Sequence, residues 1–247
     1  MSISVRAAVA VAADLGIPCT DPVVLHSGSN VVVHLRPSPV VARVASRTAL
    51  IRPGVVAWLQ RDVDVARHVA ARGVAATVPI GVEGSVALWR FEPHSTAVPS
   101  PSAVGLALAS LHAALASYPG PLPTAGPVDD LVNTLDYLEP SVDVAGLRAR
   151  LAPLASEVAD LPSRPLHGDA HPGNLLVTPR GLVWNDFEDA WHGPLAWDLA
   201  CLASTKRLDG AAAVAAYPDP PPAEEIAVCL ELRRLFGEAW RLLIAAS

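Results

Sequence analysis

The chain has 247 residues, 51% hydrophobic, 17% charged and 5% aromatic, with a formal net charge of −6. A chain of this length buries a core without disulfide or metal staples, and its composition excludes disordered, collagen-like and coiled-coil classes. The acidic balance lacks the basic footprint of a nucleic-acid binder.

Cys19, Cys201 and Cys229 lie far apart, with neither zinc-type pairing nor a disulfide framework, which points to a reducing compartment. Charge, His or Pro interrupts every apolar stretch before about 18 residues, so no membrane partner is expected. Arg6 and the run Ala7 to Ala13 resemble a short leader. The run is poor in Leu and stops at Asp14, so a first helix and a cytoplasmic location are the expectation. There are 17 arginines and one lysine, Lys206, so a catalytic lysine elsewhere is ruled out.

In chain order, residues 1–17 read as a helix. Val-rich runs in residues 22–45, punctuated by Ser27-Gly28-Ser29-Asn30 and Arg36-Pro37-Ser38-Pro39, read as antiparallel strands joined by hairpins. Residues 54–72 carry Val55, Leu59, Val63, Ala66 and Ala70 at helical spacing, with Gly73 as a stop. Thr77 to Val82 and Ser85 to Phe91 form a second strand pair around Glu83-Gly84. The first ninety residues thus predict a small sheet with one helix across it. Beyond Pro93 the texture turns helical. Pro101 to Ser117 buries Val104, Leu108, Leu111 and Leu115. Helical pieces fill 129–159, loops and two short strands fill 164–190, and helices follow near 194–204 and 223–246. The chain therefore divides into residues 1–91, a β-rich lobe, and 92–247, a mostly helical one.

The densest polar cluster is His167-Gly168-Asp169-Ala170-His171-Pro172-Gly173-Asn174, tied by a hairpin at Thr178-Pro179-Arg180-Gly181 to Asn185-Asp186-Phe187-Glu188. Apolar stretches on both sides anchor these loops. Magnesium takes hard oxygen ligands, with only one or two carboxylates from protein, and Asn174 and Asp186 can supply that share. Asp169 is then left to accept a proton from an attacking hydroxyl, as phosphoryl transfer requires.

The pattern Asp169-x-x-x-x-Asn174 followed by Asp186 resembles the catalytic and metal-binding loops of the protein-kinase-like superfamily. His167-Gly168-Asp169-x-His171-x-x-Asn174, with Trp197-Asp198-Leu199-Ala200 later, resembles the aminoglycoside phosphotransferase and choline kinase branch. Protein kinases carry Arg at the place of Gly168 and Gly at the place of Glu188. The resemblance implies an α+β, bilobal protein-kinase-like fold, with a nucleotide-binding lobe at 1–91 and a lobe bearing the catalytic loop and acceptor site at 92–247. It implies ATP or GTP and Mg as cofactors and a small-molecule hydroxyl acceptor, in a monomer or homodimer. Arg43, on the third strand, stands where the phosphate-binding lysine belongs, and Asp62 matches the helix acid that is more usually Glu. The longer fork of Arg offsets the shorter Asp. Ser27, Gly28, Ser29 and Asn30 stand at the phosphate-covering loop. Arg90, Phe91 and Glu92, after Trp89, stand at the adenine-facing hinge.

Several polar residues carry plainer expectations. His171 is read as structural, because Mg prefers oxygen donors. His112 is read as a helix-face residue, and Asp198 as a helix N-cap or a brace for the catalytic loop. Glu188 and Asp189 are read as turn or surface groups, and Glu224, Glu225, Glu231 and Glu238 as a solvated face. The rival function is a catalytically weak or inactive nucleotide binder of the same fold. A two-metal hydrolase, suggested by Gly168-Asp169-Ala170-His171, lacks the further His and Asp clusters it needs.

Overall fold

The computed structural model describes residues 1–246. Helix α1 (Ile3–Asp14) starts at Ser2, whose hydroxyl accepts from the Val5 N–H at 3.3 Å. Strands β1 (Cys19–Ser27), β2 (Asn30–Pro37), β3 (Val40–Ala45), β4 (Pro79–Glu83) and β5 (Val86–Arg90) form an antiparallel sheet in the order β1-β2-β3-β5-β4. Side chains alternate across a strand. On β3 the buried Val40, Ala42 and Val44 therefore share one face, and Val41, Arg43 and Ala45 share the other.

Each face finds its own cover. Val33, Leu35, Val40, Ala42, Val44 and Leu88 pack with Val5, Ala8 and Ala12 of α1. The opposite face, with Ala87 and Trp89, packs on α3 (Val55–Ala71). A second helix thus joins the one that the sequence places across the sheet, because the Val-rich face would otherwise lie open to water. On α3 the buried stripe is Leu59, Asp62, Val63, Val65, Ala66 and Val69, and Ala70 is exposed. Asp62 therefore rides on the apolar face of its helix, turned toward the strand that carries Arg43.

Helices α4 (Pro101–Leu115), α5 (Pro127–Leu138) and α6 (Ala145–Ala159) make up the middle of the chain. Val104, Leu108, Leu111 and Leu115 of α4 are all fully buried, as their spacing predicts. Later come α7 (Leu195–Ala203), α8 (Gly210–Ala215) and α9 (Ala223–Ala246). A four-residue helix, α2 (Thr48–Ile51), precedes α3 and ends at Arg52.

Four short strands between α6 and α7 position the polar cluster. Strand β6 (Ser163–Leu166) pairs with β9 (Trp191–Pro194), and β7 (Leu175–Thr178) pairs with β8 (Gly181–Trp184), both antiparallel. Both crossings between the two ribbons, 167–174 going out and 185–190 coming back, must therefore lie side by side. Bridges from Ala76 to Trp184 and from Ser95 to Val177 fasten this double ribbon to the chain leaving α3 and to the segment after β5. Among the described residues no helix is long and apolar enough to cross a membrane.

Candidate active site

The outgoing crossing carries Asp169 and the returning one carries Asp186. His167 locks them together. Its Nδ1 accepts the Asp169 N–H at 3.2 Å, which leaves Nε2 to donate to the Asn185 carbonyl at 3.1 Å. Asn174 closes the outgoing loop by donating Nδ2 to the Asp169 carbonyl at 2.9 Å and to Asp169 Oδ2 at 3.2 Å. With its amide nitrogen committed, the Asn174 Oδ1 is the atom left to act as a ligand.

Asp198 holds the loop from behind. Its Oδ2 accepts the His167 N–H and its Oδ1 the Gly168 N–H, each at 2.9 Å. It sits in the first turn of α7, whose N-cap is Pro194, so it braces the 167–174 loop instead of capping its helix. His112 is no simple helix-face group. It is buried, with Nε2 2.9 Å from Asp198 Oδ2 and Nδ1 3.0 Å from the Tyr217 hydroxyl. Gly168 has φ +89°, and a Cβ there would lie 1.8 Å from the Asp189 carbonyl oxygen. The crossings approach so closely that no side chain fits between them.

Asp169 has each carboxylate oxygen on a different errand. Oδ1 accepts from Arg233 Nη2 of α9 at 2.6 Å. Oδ2 faces Asn174 and, at 3.2 Å, His171 Nε2. His171 accepts the Gly173 N–H on Nδ1 at 2.9 Å, so its proton lies on Nε2, toward Asp169. Burial would raise the Asp169 carboxyl, but Arg233, His171 and His167 together hold it well below the usual carboxylate range.

Asp186 adopts φ +69°, a left-handed conformation rare for a non-glycine residue and typical of functional sites. Arg43 reaches across to it. The guanidinium Nη2 ion-pairs with Asp186 Oδ1, while Nη1 donates to Asp62 Oδ2 at 2.8 Å. Asp62 spends its other oxygen on the Phe187 N–H, also at 2.8 Å. Arg43 and Asp62 thus pair directly across the sheet–helix seam. Burial pushes the Asp62 carboxyl up to about 7, with Arg43 pulling the other way.

Glu188 is buried and Asp189 half-buried, and both belong to a charge network, not to the surface their turn suggests. Glu188 accepts from Asn30 Nδ2 at 3.0 Å on both oxygens and from Arg52 Nη1 at 3.2 Å. Burial pushes it up to about 8, against Arg43 and Arg52. Arg52 also donates to Asp130 of α5, with Nη2 to Oδ2 at 2.5 Å, and to Asp189. One guanidinium after α2 thereby ties the sheet side of the molecule to α5 and to the Asp186 loop. Arg52 and Arg233 escape sequence inspection, because neither belongs to a motif and their partners lie up to 137 positions away.

Two cavities meet at Asp169. The larger, about 450 Å³, is walled by Val32, Val41, Trp89, Arg43, Asn174 and Asp186, and runs from the hairpin after β1 to the segment after β5. Arg90, Phe91 and Glu92 line it. The Phe91 N–H is already given to the Pro39 carbonyl at 2.9 Å, however, so it is not available to adenine. Phe91 instead stacks on His34 with centroids 4.1 Å apart, and Glu92 pairs with Arg180 at 2.9 Å.

Of the proposed phosphate loop, Ser29 and Asn30 line the cavity, whereas Ser27 ends β1 and Gly28 lies outside the lining. Asn30 is mostly occupied inward, since it also accepts from the Thr48 hydroxyl at 2.5 Å. Asp62 lies behind Arg43 and bears on this cavity only through it. The smaller cavity, about 260 Å³, opens on the Oδ1 side of Asp169 among Trp58, Trp197, Phe236 and Trp240.

Asn174 and Asp186 offer two hard oxygens at the wall of the larger cavity, with Asp186 Oδ1 paired to Arg43. That donor set suits magnesium, which rests on few protein ligands. Among the described residues no group of three or more His, Cys, Asp or Glu is placed to hold a metal, as a two-metal hydrolase would need.

The architecture is shared with solved kinases. Choline kinase LicA from Streptococcus pneumoniae superposes with a TM-score of 0.70 at 14% identity, over 98% of this chain and 92% of that one. Macrolide 2'-phosphotransferase MphH from Brachybacterium faecium gives 0.61 at 17% identity, over 98% and 94%. Amicoumacin kinase hAmiN, solved with AMP-PNP and Ca2+, gives 0.61 at 14% identity, over 98% and 80%. No curated protein matches the chain. The model of the phosphotransferase enzyme family, APH, matches residues 23–245. The chain therefore belongs to the APH phosphotransferase enzyme family and has a bilobal, protein-kinase-like fold.

Proposed function

We propose that this protein is a small-molecule kinase that moves the γ-phosphoryl group of ATP, or GTP, to a hydroxyl of a metabolite or drug-like acceptor. The observation that carries this reading is the convergence of Asp169, Asn174 and Asp186 on the larger cavity, with Asp169 lining the smaller one as well. The nucleotide would occupy the larger cavity and the acceptor the smaller, so that Asp169 stands between them.

In this reading Arg43 steadies the phosphates, with Asp62 fixing its fork, and Asn174 and Asp186 would hold a magnesium ion, whose charge would offset that of the phosphates. Asp169 Oδ1 accepts the hydroxyl proton and orients the oxygen for in-line attack. Arg233 must first leave that oxygen. His171 and Asn174 keep the other oxygen still, and Asp198 keeps the whole loop in register. Residues 1–91 would act as the nucleotide lobe and 92–247 as the catalytic and acceptor lobe, in a cytoplasmic monomer or homodimer. The retained acid, amide and acid favour catalysis over an inactive binder, which has no chemical need for all three.

The test is a coupled screen for nucleotide turnover with ATP and GTP over a panel of hydroxyl-bearing compounds, using Asp169→Asn as the blank. Acceptor-dependent ADP or GDP release that falls by about a thousandfold in the variant is expected. Equal turnover by the variant would remove Asp169 from the chemistry.

A further inference from the structure

The smaller cavity has the size and aromatic lining of a ligand site, yet its charged groups are not alike. Each of its acids already faces an arginine or an amide. Asp130 and Asp189 ion-pair with Arg52, and Glu188 takes Arg52 together with Asn30. Two aromatic rings already carry cations. The guanidinium carbons of Arg52 and Arg61 lie 4.0 and 4.3 Å from the Trp58 centroid, and that of Arg233 lies 5.8 Å from the Trp197 centroid. Phe236 and Trp240 lie nearly parallel, 10° apart. A cationic acceptor entering here finds the carboxylates and the Trp58 and Trp197 rings already facing guanidinium groups, while Phe236 and Trp240 stack on each other.

Arg233 differs from the other guanidinium groups. Arg43 and Arg52 each pair with three carboxylates, whereas Arg233 has, among the described residues, a single carboxylate within ion-pair distance, Asp169. Its side chain is 22% exposed and lines the cavity, so its remaining donors open onto that space. It also holds the very oxygen that an acceptor hydroxyl must reach. When a hydroxyl takes over Asp169 Oδ1, this guanidinium loses that carboxylate, and a new anion is needed at the cavity wall. A fork of parallel N–H groups suits a carboxylate or phosphate.

We propose that the acceptor is an anionic hydroxyl compound, an organic acid with an apolar body, and that Arg233 selects it by pairing with the acid group while the hydroxyl turns to Asp169. This rests on the kinase reading for its chemistry and on Arg233 alone for its charge preference. Trp58, Phe236 and Trp240 pack the apolar body, while Asp130, Glu188 and Asp189 stay paired with Arg52.

Matched sets differing only in charge test it. One set is para-(hydroxymethyl)benzoate, para-(hydroxymethyl)benzamide and para-(aminomethyl)benzyl alcohol, and the other is gamma-hydroxybutyrate, gamma-hydroxybutyramide and aminobutanol. Calorimetry on the full chain with Mg·AMP-PNP reads binding, and ADP release with Mg·ATP reads transfer. The acids should bind at least about tenfold tighter than the amides and amines. Arg233→Gln should erase the preference, and Arg233→Lys, which keeps the charge without the fork, should retain part of it. Amines that bind best, acids that bind no better than amides or not at all, or a preference that survives Arg233→Gln would overturn the proposal. Acids that bind through Arg233 while no member of either set receives a phosphoryl group would uphold the anion site and remove the kinase reading instead.

Discussion

Gly168 shows how tightly a single position is determined. Its φ of +89° and the Asp189 carbonyl 1.8 Å from a hypothetical Cβ leave room for hydrogen only. Gly168→Ala must part the two crossings that bring Asp169 and Asp186 together. We expect a loss of about 4 kcal/mol or more, read by urea unfolding, with phosphoryl transfer lost at temperatures where the variant stays folded. Unfolding at the wild-type midpoint would contradict this. The His-Gly-Asp motif and its offsets to Asn174 and Asp186 were legible because they are local, lying within one loop and one hairpin. The partners of these residues were not. His112 is 86 positions from Asp198, and Arg233 is 64 from Asp169. Arg233 and its neighbour Arg234 look identical in sequence, yet only Arg233 turns to the site, while Arg234 pairs with the exposed Glu231.

At the scale of elements, the strongly patterned segments agree with their periodicity, and the short ones do not announce themselves. The α4 stripe and the alternation on β3 follow directly from spacing. Strand β6, Ser163-Arg164-Pro165-Leu166, has no β-branched run, and its only cue is its pairing with β9. Helices α2 and α8 are four and six residues long, too short for a periodic signal. Strand β6 hands the chain to the catalytic loop, and α7 supplies its brace. Asp198→Ala leaves the His167 and Gly168 N–H groups and the His112 ring without their buried acceptor. The cost should be about 3 kcal/mol or more, or on the order of a 10 °C drop in melting temperature. It should also lower kcat more than it raises the KM for nucleotide, because the 167–174 loop and not the wall formed by β2, β3 and β5 is loosened. A drop in stability with unchanged kcat would leave Asp198 with a packing role only.

Across the whole molecule, buried carboxylates join the sheet, α3, α5 and the catalytic ribbon through Arg43 and Arg52. None of these joints is visible in sequence, because a lone arginine has no pattern and the acids it meets lie on distant elements. They have a consequence for pH. Asp62, pushed up to about 7, and Glu188, pushed up to about 8, keep protons in the fold that the unfolded chain releases near pH 4. Between those values the native state binds more protons, so these two groups make stability fall as pH rises through that window. Asp169, held low, acts oppositely and only in acid, where its contribution is lost as it protonates. Urea midpoints should therefore decline from about pH 5 to about pH 7.5, and Asp62→Asn should flatten that decline. A wild-type midpoint that rises over this range would show that the arginines keep both acids ionised.

In the proposed reaction Asp169, Asn174 and Asp186 form one phosphoryl-transfer centre with separate duties, and calorimetric titration of Mg·ATP checks this division without any acceptor being known. Asp186→Asn and Asn174→Ala should weaken magnesium-dependent nucleotide binding by about tenfold or more, while Asp169→Asn should bind almost as the wild type does. Magnesium-dependent binding that is the same in wild type, Asp186→Asn and Asn174→Ala would contradict the account.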